Sequence, residues 1–164
     1  YEQGHMKIEY NPIGVIHSPF KKAEGMPIQP AGAAGVEGTV EVFPEFVEGL
    51  KDLEGFSHIY LIYHFHQSNG YSLMVTPFMD TALRGVFATR APRRPNAIGI
   101  SVVRLKGIEG GILRIENVDV LDNTPLLDIK PYVPDFDDHP ADSTGWLAKA
   151  SGASKTMRSD GRFR

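Results

Sequence analysis

The chain is built from short apolar segments separated by glycine and proline turns, and it lacks the helix-length segments of an alternating strand and helix protein. Segments with period-two alternation or β-branched residues recur at hairpin spacing, which is typical of antiparallel strands. The predicted strands cover residues 8–16, 36–43, 56–66, 71–76, 85–89, 112–121 and 127–130, together with a strand that begins at Ile98 and turns at 107–111. The fold class is therefore all-β, a small partly or fully closed β-barrel of about seven strands with one or two short helices, one of them starting at Pro44.

Composition sets broad limits on function. The chain of 164 residues has no apolar run long enough to span a bilayer and no cysteine, which favours a cytoplasmic protein without membrane contact. The formal net charge of -3 excludes binding to nucleic acid through the overall field, so any RNA contact must be local. Neither a G-x-G-x-x-G stretch nor a P-loop is present, which argues against the usual nucleotide sites.

Domain organisation follows from changes in composition. Residues 6–134 are interpreted as one barrel domain, and the segment 56–66 within it as a central strand buried on both faces. Residues 135–164 form an extension, first acidic and then basic, that we expect to be loosely packed. Residues 1–5 resemble an expression-tag remnant before Met6.

The most unusual local chemistry lies in residues 88–101. Arg90, Arg93 and Arg94 fall within five positions, and interleaved prolines exclude a helix and favour extended backbone. Guanidinium groups on a stiff loop suit recognition of a carboxylate or phosphate. A solvated basic loop paired with neighbouring acids is the alternative. Alternation from Ile98 onward then predicts a strand with one buried face.

This loop and three other stretches resemble one family. The loop reads Arg90-x-Pro92-x-Arg94-Pro95-Asn96-x-Ile98-Gly99-x-Ser101, and the others, in order, are residues 13–20, 53–59 leading into 65–67, and 122–132. Together they resemble the TsaA/TrmO-like family of S-adenosylmethionine-dependent tRNA methyltransferases, also called the YaeB-like or VirR family. The resemblance covers roughly residues 8–134.

The resemblance implies a homodimeric β-barrel that uses S-adenosyl-L-methionine to methylate N6 of threonylcarbamoyladenosine in the tRNA anticodon loop. Methyl transfer from a sulfonium is an in-line displacement, in which the protein mainly aligns the reacting groups. No covalent nucleophile is needed, so the lack of a catalytic triad is no argument against an enzyme.

The resemblance also indicates site residues. Arg90 is expected to bind the methionine carboxylate or orient the substrate, with Asp119 and Asp128 as the other catalytic candidates. The N6 proton could pass to Asp119, Asp128, His66 or water. Expected cofactor contacts are Pro27, Ile28, Gln29, His66, Gln67, Arg90, Asn117, Val118 and Asp119, and expected RNA contacts are Arg93, Arg94 and Lys130, with Tyr63 or Tyr132 available for base stacking.

Two patterns mimic metal sites. His64 and His66 share a face of a predicted strand with His58, but other side chains lie between them, so packed or hydrogen-bonded histidines are expected and no metal is predicted. The acidic run 135–139 lacks the glycine and distal glutamate of a calcium loop. Asp122 opens an Asp-Asn turn and is interpreted from the residues alone as a turn cap.

Two other functions fit the same residues. A non-enzymatic RNA-binding barrel would bind single strands through the arginine loop without a small cofactor. An S-adenosylmethionine-dependent enzyme with another, smaller substrate would bind the cofactor without any dependence on tRNA.

Overall fold

The computed structural model describes residues 6–22, 30–77 and 80–149, and six antiparallel strands of this part form a closed barrel. The order around the barrel is β1, β2, β7, β6, β3 and β8, while β4 and β5 pair in a separate two-stranded sheet. The strands are β1 (Gly14–His17), β2 (Glu37–Val42), β3 (His58–His64), β4 (Met74–Val75), β5 (Arg84–Gly85), β6 (Ile98–Glu109), β7 (Ile112–Glu116) and β8 (Thr124–Pro131).

The helices are short. A single α-helix, α1 (Pro134–Asp137), follows β8 in the described chain, and the 3-10 helices are Pro30–Ala33, Pro44–Leu50, Leu53–Gly55, Val86–Ala88 and Gly145–Lys149. The predicted fold class is thus confirmed, with six strands in the barrel and two outside it. Among the described residues, no helix is both long and apolar enough to cross a bilayer.

Several local predictions are wrong. The strands predicted at 8–16 and 112–121 are shorter, since β1 begins only at Gly14 and β7 ends at Glu116. The predicted strand at 85–89 ends after Gly85, and the chain turns into the 3-10 helix Val86–Ala88, because this turn buries Val86 against Val75 and Ala91. The central strand β3 is not buried on both faces. Its inward side chains are fully buried and its outward side chains are partly exposed, as the antiparallel barrel leaves one face of each strand outside.

The barrel core consists of the inward side chains of all six strands. β3 contributes Ile59, Leu61 and Tyr63, and each of them is almost completely buried. The other buried core residues are Ile16, Val40, Val42, Val103, Leu105, Leu113, Ile115, Val118, Val120 and Leu126. Burial of this apolar surface is the main stabilising contribution, at about 25 cal/mol per Å².

Two connections meet at one end of the barrel. β3 and β6 are paired neighbours, with His64 opposite Ile98, so the chain between them forms an insertion that leaves and returns at the same place. This insertion holds β4, β5 and the arginine loop. β7 and β8 are not neighbours in the barrel, so their connection, residues 117–123, must pass across the barrel end.

Candidate active site

The β7–β8 connection closes the barrel end with apolar side chains and places one carboxylate among them. Val118 and Val120 are buried in the core, which fixes the backbone on both sides of Asp119. The backbone nitrogens of Asn117 and Val118 donate to Val36 O, at 2.8 Å and 3.3 Å. Asp119 is therefore held on a rigid crossing segment.

A chain of hydroxyl groups runs from the barrel interior to this carboxylate. Tyr63 Oη lies 2.8 Å from Ser101 Oγ, and Ser101 Oγ donates to Asp119 Oδ1 at 2.7 Å. Because the Ser101 proton is used on the carboxylate, the Tyr63 hydroxyl donates to Ser101. Ser101 is 3% exposed and Tyr63 is 5% exposed, so both hydroxyls are shielded from water.

Gly99 explains part of the sequence motif. A Cβ atom at position 99 would overlap the rings of Tyr63 and Phe65, which pack edge to face with centroids 5.5 Å apart. The missing side chain thus gives the Tyr63 ring room to reach Ser101, two residues further along the inward face of β6. The Gly-x-Ser spacing of the motif serves this hydroxyl chain.

The surroundings shift the pKa of Asp119 and of Tyr63, the two ends of the hydroxyl chain. Burial raises the pKa of Asp119 to about 6, although the Ser101 hydrogen bond and the positive charge of Arg90 act in the opposite direction. Burial and the negative charge of Asp119 raise the pKa of Tyr63, which stays protonated. A carboxylate with a pKa near neutrality is suited to accept a proton.

The arginine loop stands at the same barrel end, and its three arginines differ in their surroundings. Arg90 is exposed, and its guanidinium makes no hydrogen bond or ion pair with residues 6–22, 30–77 or 80–149. Arg94 is half-buried, and its Nη1 donates to Thr89 O and Ala91 O, each at 3.0 Å. Arg93 is half-buried, and its buried Nε has no partner in the described chain.

Neighbouring segments hold this loop in place. Ser68 Oγ donates to Pro92 O at 3.2 Å, and Ser72 N donates to Arg93 O at 3.4 Å. The turn that holds Ser68 also carries His66 and Gln67, so the structure brings these two predicted cofactor residues close to the loop. Burial and the neighbouring charge of His64 lower the pKa of His66, which favours its neutral form.

The C-terminal extension also contacts the insertion. Trp146 Nε1 donates to Ala88 O at 2.8 Å, and Arg84 lies over the Trp146 ring with its Cζ 5.9 Å from the centroid. Part of the extension is therefore packed against the segment that precedes Arg90.

Two predicted residues lie on another surface. Asp128 is opposite Ile62 on the outer face of the barrel, where its Oδ2 pairs with Lys130 Nζ at 3.1 Å. The inward positions on the neighbouring strand are occupied by Leu61 and Tyr63, so the barrel wall separates Asp128 from Asp119. The structure does not bring Asp128 and Lys130 into the cluster around Asp119.

The remaining predicted residues have varied surroundings. Asn117 has a left-handed backbone (φ 70°), and its Oδ1 accepts from Gly35 N at 2.8 Å. The Val118 side chain is fully buried, so its backbone alone could face a cofactor. The cofactor residues predicted at positions 27–29 lie outside the described residues.

Among the described residues, the Asp122 side chain bonds to the segment after β1 and not, as the sequence predicts, to the turn that it opens. Its Oδ1 accepts from Ser18 N at 3.0 Å, and its Oδ2 pairs with Lys21. The hydrogen bond from Lys21 lowers the pKa of Asp122, with the charge of His17 acting in the same direction. These contacts tie the turn before β8 to the end of β1.

Sequence reasoning missed two members of the hydroxyl chain. The motif contains Ser101 but indicates no role for it, and the sequence suggests only base stacking for Tyr63. Their positions in the strands carried the signal, because Tyr63 has the parity of Ile59 and Leu61, and Ser101 has that of Gly99. Both side chains therefore had to point inward.

Comparison with known proteins agrees with this architecture. Residues 15–138 match the model of the tRNA-methyltransferase O N-terminal domain. The chain belongs to this TrmO family. A crystal structure of TrmO from Pseudomonas aeruginosa superimposes with a TM-score of 0.73 at 46% identity, covering 85% of this chain and 62% of that chain.

Curated relatives of this TrmO family member include a cofactor-binding protein and a methyltransferase. A probable S-adenosyl-L-methionine-binding protein of Pyrococcus abyssi is 60% identical over 158 residues, 96% of this chain and 86% of that protein. A mouse tRNA (adenine(37)-N6)-methyltransferase is 38% identical over 143 residues, 83% of this chain and 33% of that protein. The chain thus spans less than two thirds of the mouse protein and of the TrmO crystal structure.

Proposed function

We propose that this protein is an S-adenosyl-L-methionine-dependent methyltransferase that acts on an adenine N6 nitrogen of tRNA, in the cytoplasm where tRNA is found. The finer proposal is that the substrate is threonylcarbamoyladenosine in the anticodon loop. The observation that carries the proposal is the partly buried Asp119 carboxylate, which is bonded to Ser101 and feels the positive charge of Arg90, in a chain of the TrmO family.

The residues present suit this cofactor. S-adenosyl-L-methionine supplies an electrophilic methyl group on a positively charged sulfur. The exposed guanidinium of Arg90 can bind the carboxylate of the methionine part, because it has no partner among the described residues. His66 and Gln67 lie beside the same loop and can enclose the cofactor. The backbone at Asn117 and Val118 and the side chains at positions 27–29 remain the other proposed contacts.

Asp119 is the proposed proton acceptor. When N6 bonds to the methyl group, the N6 proton must leave, and a carboxylate with a pKa of about 6 can take it at neutral pH. The Ser101 hydroxyl donates to Oδ1 of this carboxylate, so we propose that Oδ2 takes the proton. Asp128 is a weaker candidate because it lies on the outer face.

RNA binding is proposed to be local. Arg93 is half-buried, and the exposed part of its guanidinium is proposed to contact a phosphate of the anticodon loop. Lys130 is exposed on the outer face of the barrel. It can contact RNA only where the bound RNA strand extends around the barrel wall. Tyr132 packs edge to face against Tyr60 near Lys130, which gives that region an aromatic surface.

We also propose a homodimer. Ile98 and Ile100, on the outer face of β6 beside Ile62, are 42% and 48% exposed, and Phe87 on the insertion is 75% exposed. Exposed apolar patches of this kind mark interaction surfaces, and a second copy of the chain would cover them. Sedimentation equilibrium should show a dimer that Ile100→Lys weakens, whereas a monomer at micromolar concentration would contradict the proposal.

The test of function is a methyl-transfer assay with isotope-labelled S-adenosyl-L-methionine. Substrates are tRNA bearing threonylcarbamoyladenosine and the same tRNA made as an unmodified transcript, with nucleoside mass spectrometry to locate the methyl group. We expect transfer to N6 of the modified nucleoside and little to the transcript.

Other outcomes of this assay separate the alternatives. Cofactor binding in calorimetry without transfer to either tRNA would indicate an enzyme with another substrate. Binding of tRNA without any binding of S-adenosyl-L-methionine would indicate a non-enzymatic RNA-binding barrel. Transfer to the transcript at an equal rate would contradict the finer substrate proposal alone.

A further inference from the structure

Arg94 has an unusual hydrogen-bonding position. One of its terminal nitrogens, Nη1, donates to Thr89 O and to Ala91 O, both at 3.0 Å, and these are the carbonyl groups on either side of Arg90. A guanidinium Nη carries two hydrogens, so each can serve one carbonyl. We propose that Arg94 is a positioning residue that fixes the backbone of Arg90, and not an RNA phosphate contact. The catalytic meaning of this role rests on the proposed function.

The surrounding bonds show that Arg94 completes a closed brace. Thr89 Oγ1 donates to Val86 O at 2.8 Å and accepts from Ala91 N at 3.2 Å. Ala91 itself is 3% exposed. The peptide groups on both sides of Arg90 are therefore bonded, while the Arg90 side chain alone projects into solvent.

The brace matters because Arg90 acts on the buried groups of the site. Its positive charge lowers the pKa of both Asp119 and Tyr63 against the effect of burial. Such an effect depends on the distance between the charges. Loss of the Arg94 bonds would leave two carbonyls without their donor and allow the Arg90 backbone to move.

A phosphate contact would have different requirements. It needs a free, exposed positive charge, and a lysine can supply it as a point charge. The brace needs one planar nitrogen with two fixed N–H directions at the end of a long stem, which lysine does not provide. Arg94→Lys therefore separates the two roles better than Arg94→Ala alone.

The first experiment is carried out on the free protein by carbon-detected NMR titration of the Asp119 carboxyl. Arg94→Ala and Arg94→Lys are expected to raise its midpoint in the same direction as Arg90→Ala. Arg114→Ala, which removes an exposed arginine from the outside of β7, should not. An unchanged midpoint in the Arg94 variants, or in Arg90→Ala, would overturn the proposal. It would show that Arg94 does not hold the Arg90 charge at a position that affects Asp119.

The second experiment measures kcat, KM and the salt dependence of tRNA affinity. If Arg94 fixes the Arg90 backbone, kcat of both Arg94 variants should fall by about tenfold or more, because small misplacements of positioning groups have effects of this size. The plot of log Kd against log salt keeps the wild-type slope. A slope reduced by about 0.7–0.9 in Arg94→Ala and restored in Arg94→Lys would identify a phosphate contact and overturn the proposal. If wild-type protein binds no S-adenosyl-L-methionine, the proposed function fails, and the titration still decides the role of Arg94.

Discussion

Replacing Asp119 by asparagine should stabilise the folded protein at neutral pH while it abolishes methyl transfer. Burial raises the pKa of Asp119 from 3.8 to about 6. Well below pH 3.8 the carboxyl is neutral in both the folded and the unfolded chain, so folding buries no charge at this position and the stability that Asp119 contributes is fully present. That contribution is lost as the pH rises through 6, because the folded protein must then ionise a buried group.

The magnitude follows from the two pKa values. The interval between 3.8 and about 6 corresponds to about 3 kcal/mol of unfolding free energy. Residual contact with water reduces this, so we expect Asp119→Asn to gain about 1–3 kcal/mol over the wild type between pH 4 and pH 8. Asparagine keeps an oxygen that can accept the 2.7 Å hydrogen bond from Ser101.

The assay is urea denaturation of both proteins at several pH values between 4 and 8, with Asp122→Asn as the matched control. The pKa of Asp122 is lowered, mainly by its bond from Lys21, so its contribution is present above its ordinary pKa and is lost on acidification. Asp122→Asn should therefore be less stable than the wild type by a nearly constant amount between pH 4 and pH 8, since the contribution of Asp122 is lost only below pH 3.8. A flat difference between Asp119→Asn and the wild type, with Asp122→Asn behaving as described, would refute the raised pKa of Asp119.

Three further predictions concern the same barrel end. Arg90→Ala should weaken S-adenosyl-L-methionine binding by about tenfold or more with an unchanged circular dichroism spectrum, since a charge-assisted hydrogen bond is lost; wild-type affinity in calorimetry would exclude the anchor role. Ser101→Ala should move the acidic limb of the pH–rate profile upward by about one pH unit, because Asp119 loses a donor to its charged form; an unmoved limb would contradict this. Gly99→Ala should lower the unfolding free energy by about 1–3 kcal/mol, since its Cβ would overlap the Tyr63 ring, and wild-type denaturation would show that the ring has room to shift.

The barrel itself could be predicted because it depends on local patterns. The alternation in 36–43 and the strand from Ile98 correspond to β2 and β6, and the helix start at Pro44 was placed correctly, although it forms a 3-10 helix. The inserted segment was harder. β4 is limited to Met74–Val75 because its single partner, β5, offers only two residues for pairing.

The site was predictable only in part, since it depends on which segments the topology joins. Arg90 and Asp119 were both predicted as site residues through the family resemblance, and the positive charge of Arg90 lowers the pKa of Asp119 against the larger effect of burial. Asp128 also belongs to a predicted strand region, but it lies on the outer face of the barrel. The bulge in the β3–β8 pairing, between Ile62 and Tyr63, places it there. A bulge reverses which alternate side chains point inward, and it has no clear sequence signal. The bonding of Arg94 to Thr89 and Ala91 likewise depends on a loop conformation that no periodicity encodes.

Because His64 and Ile98 are paired across adjacent strands, the segment between them is removable in principle without a change in the order of the barrel. A tight two-residue turn from His64 to Ile98 would leave the six strands and the Tyr63–Ser101–Asp119 chain in place. The barrel would then keep the Asp119 carboxyl and lose Arg90, Arg93 and Arg94. Such a minimal barrel would be a host for grafted loops of other specificity, and natural exchange of this one segment would be a simple route by which the same barrel acquires new substrates.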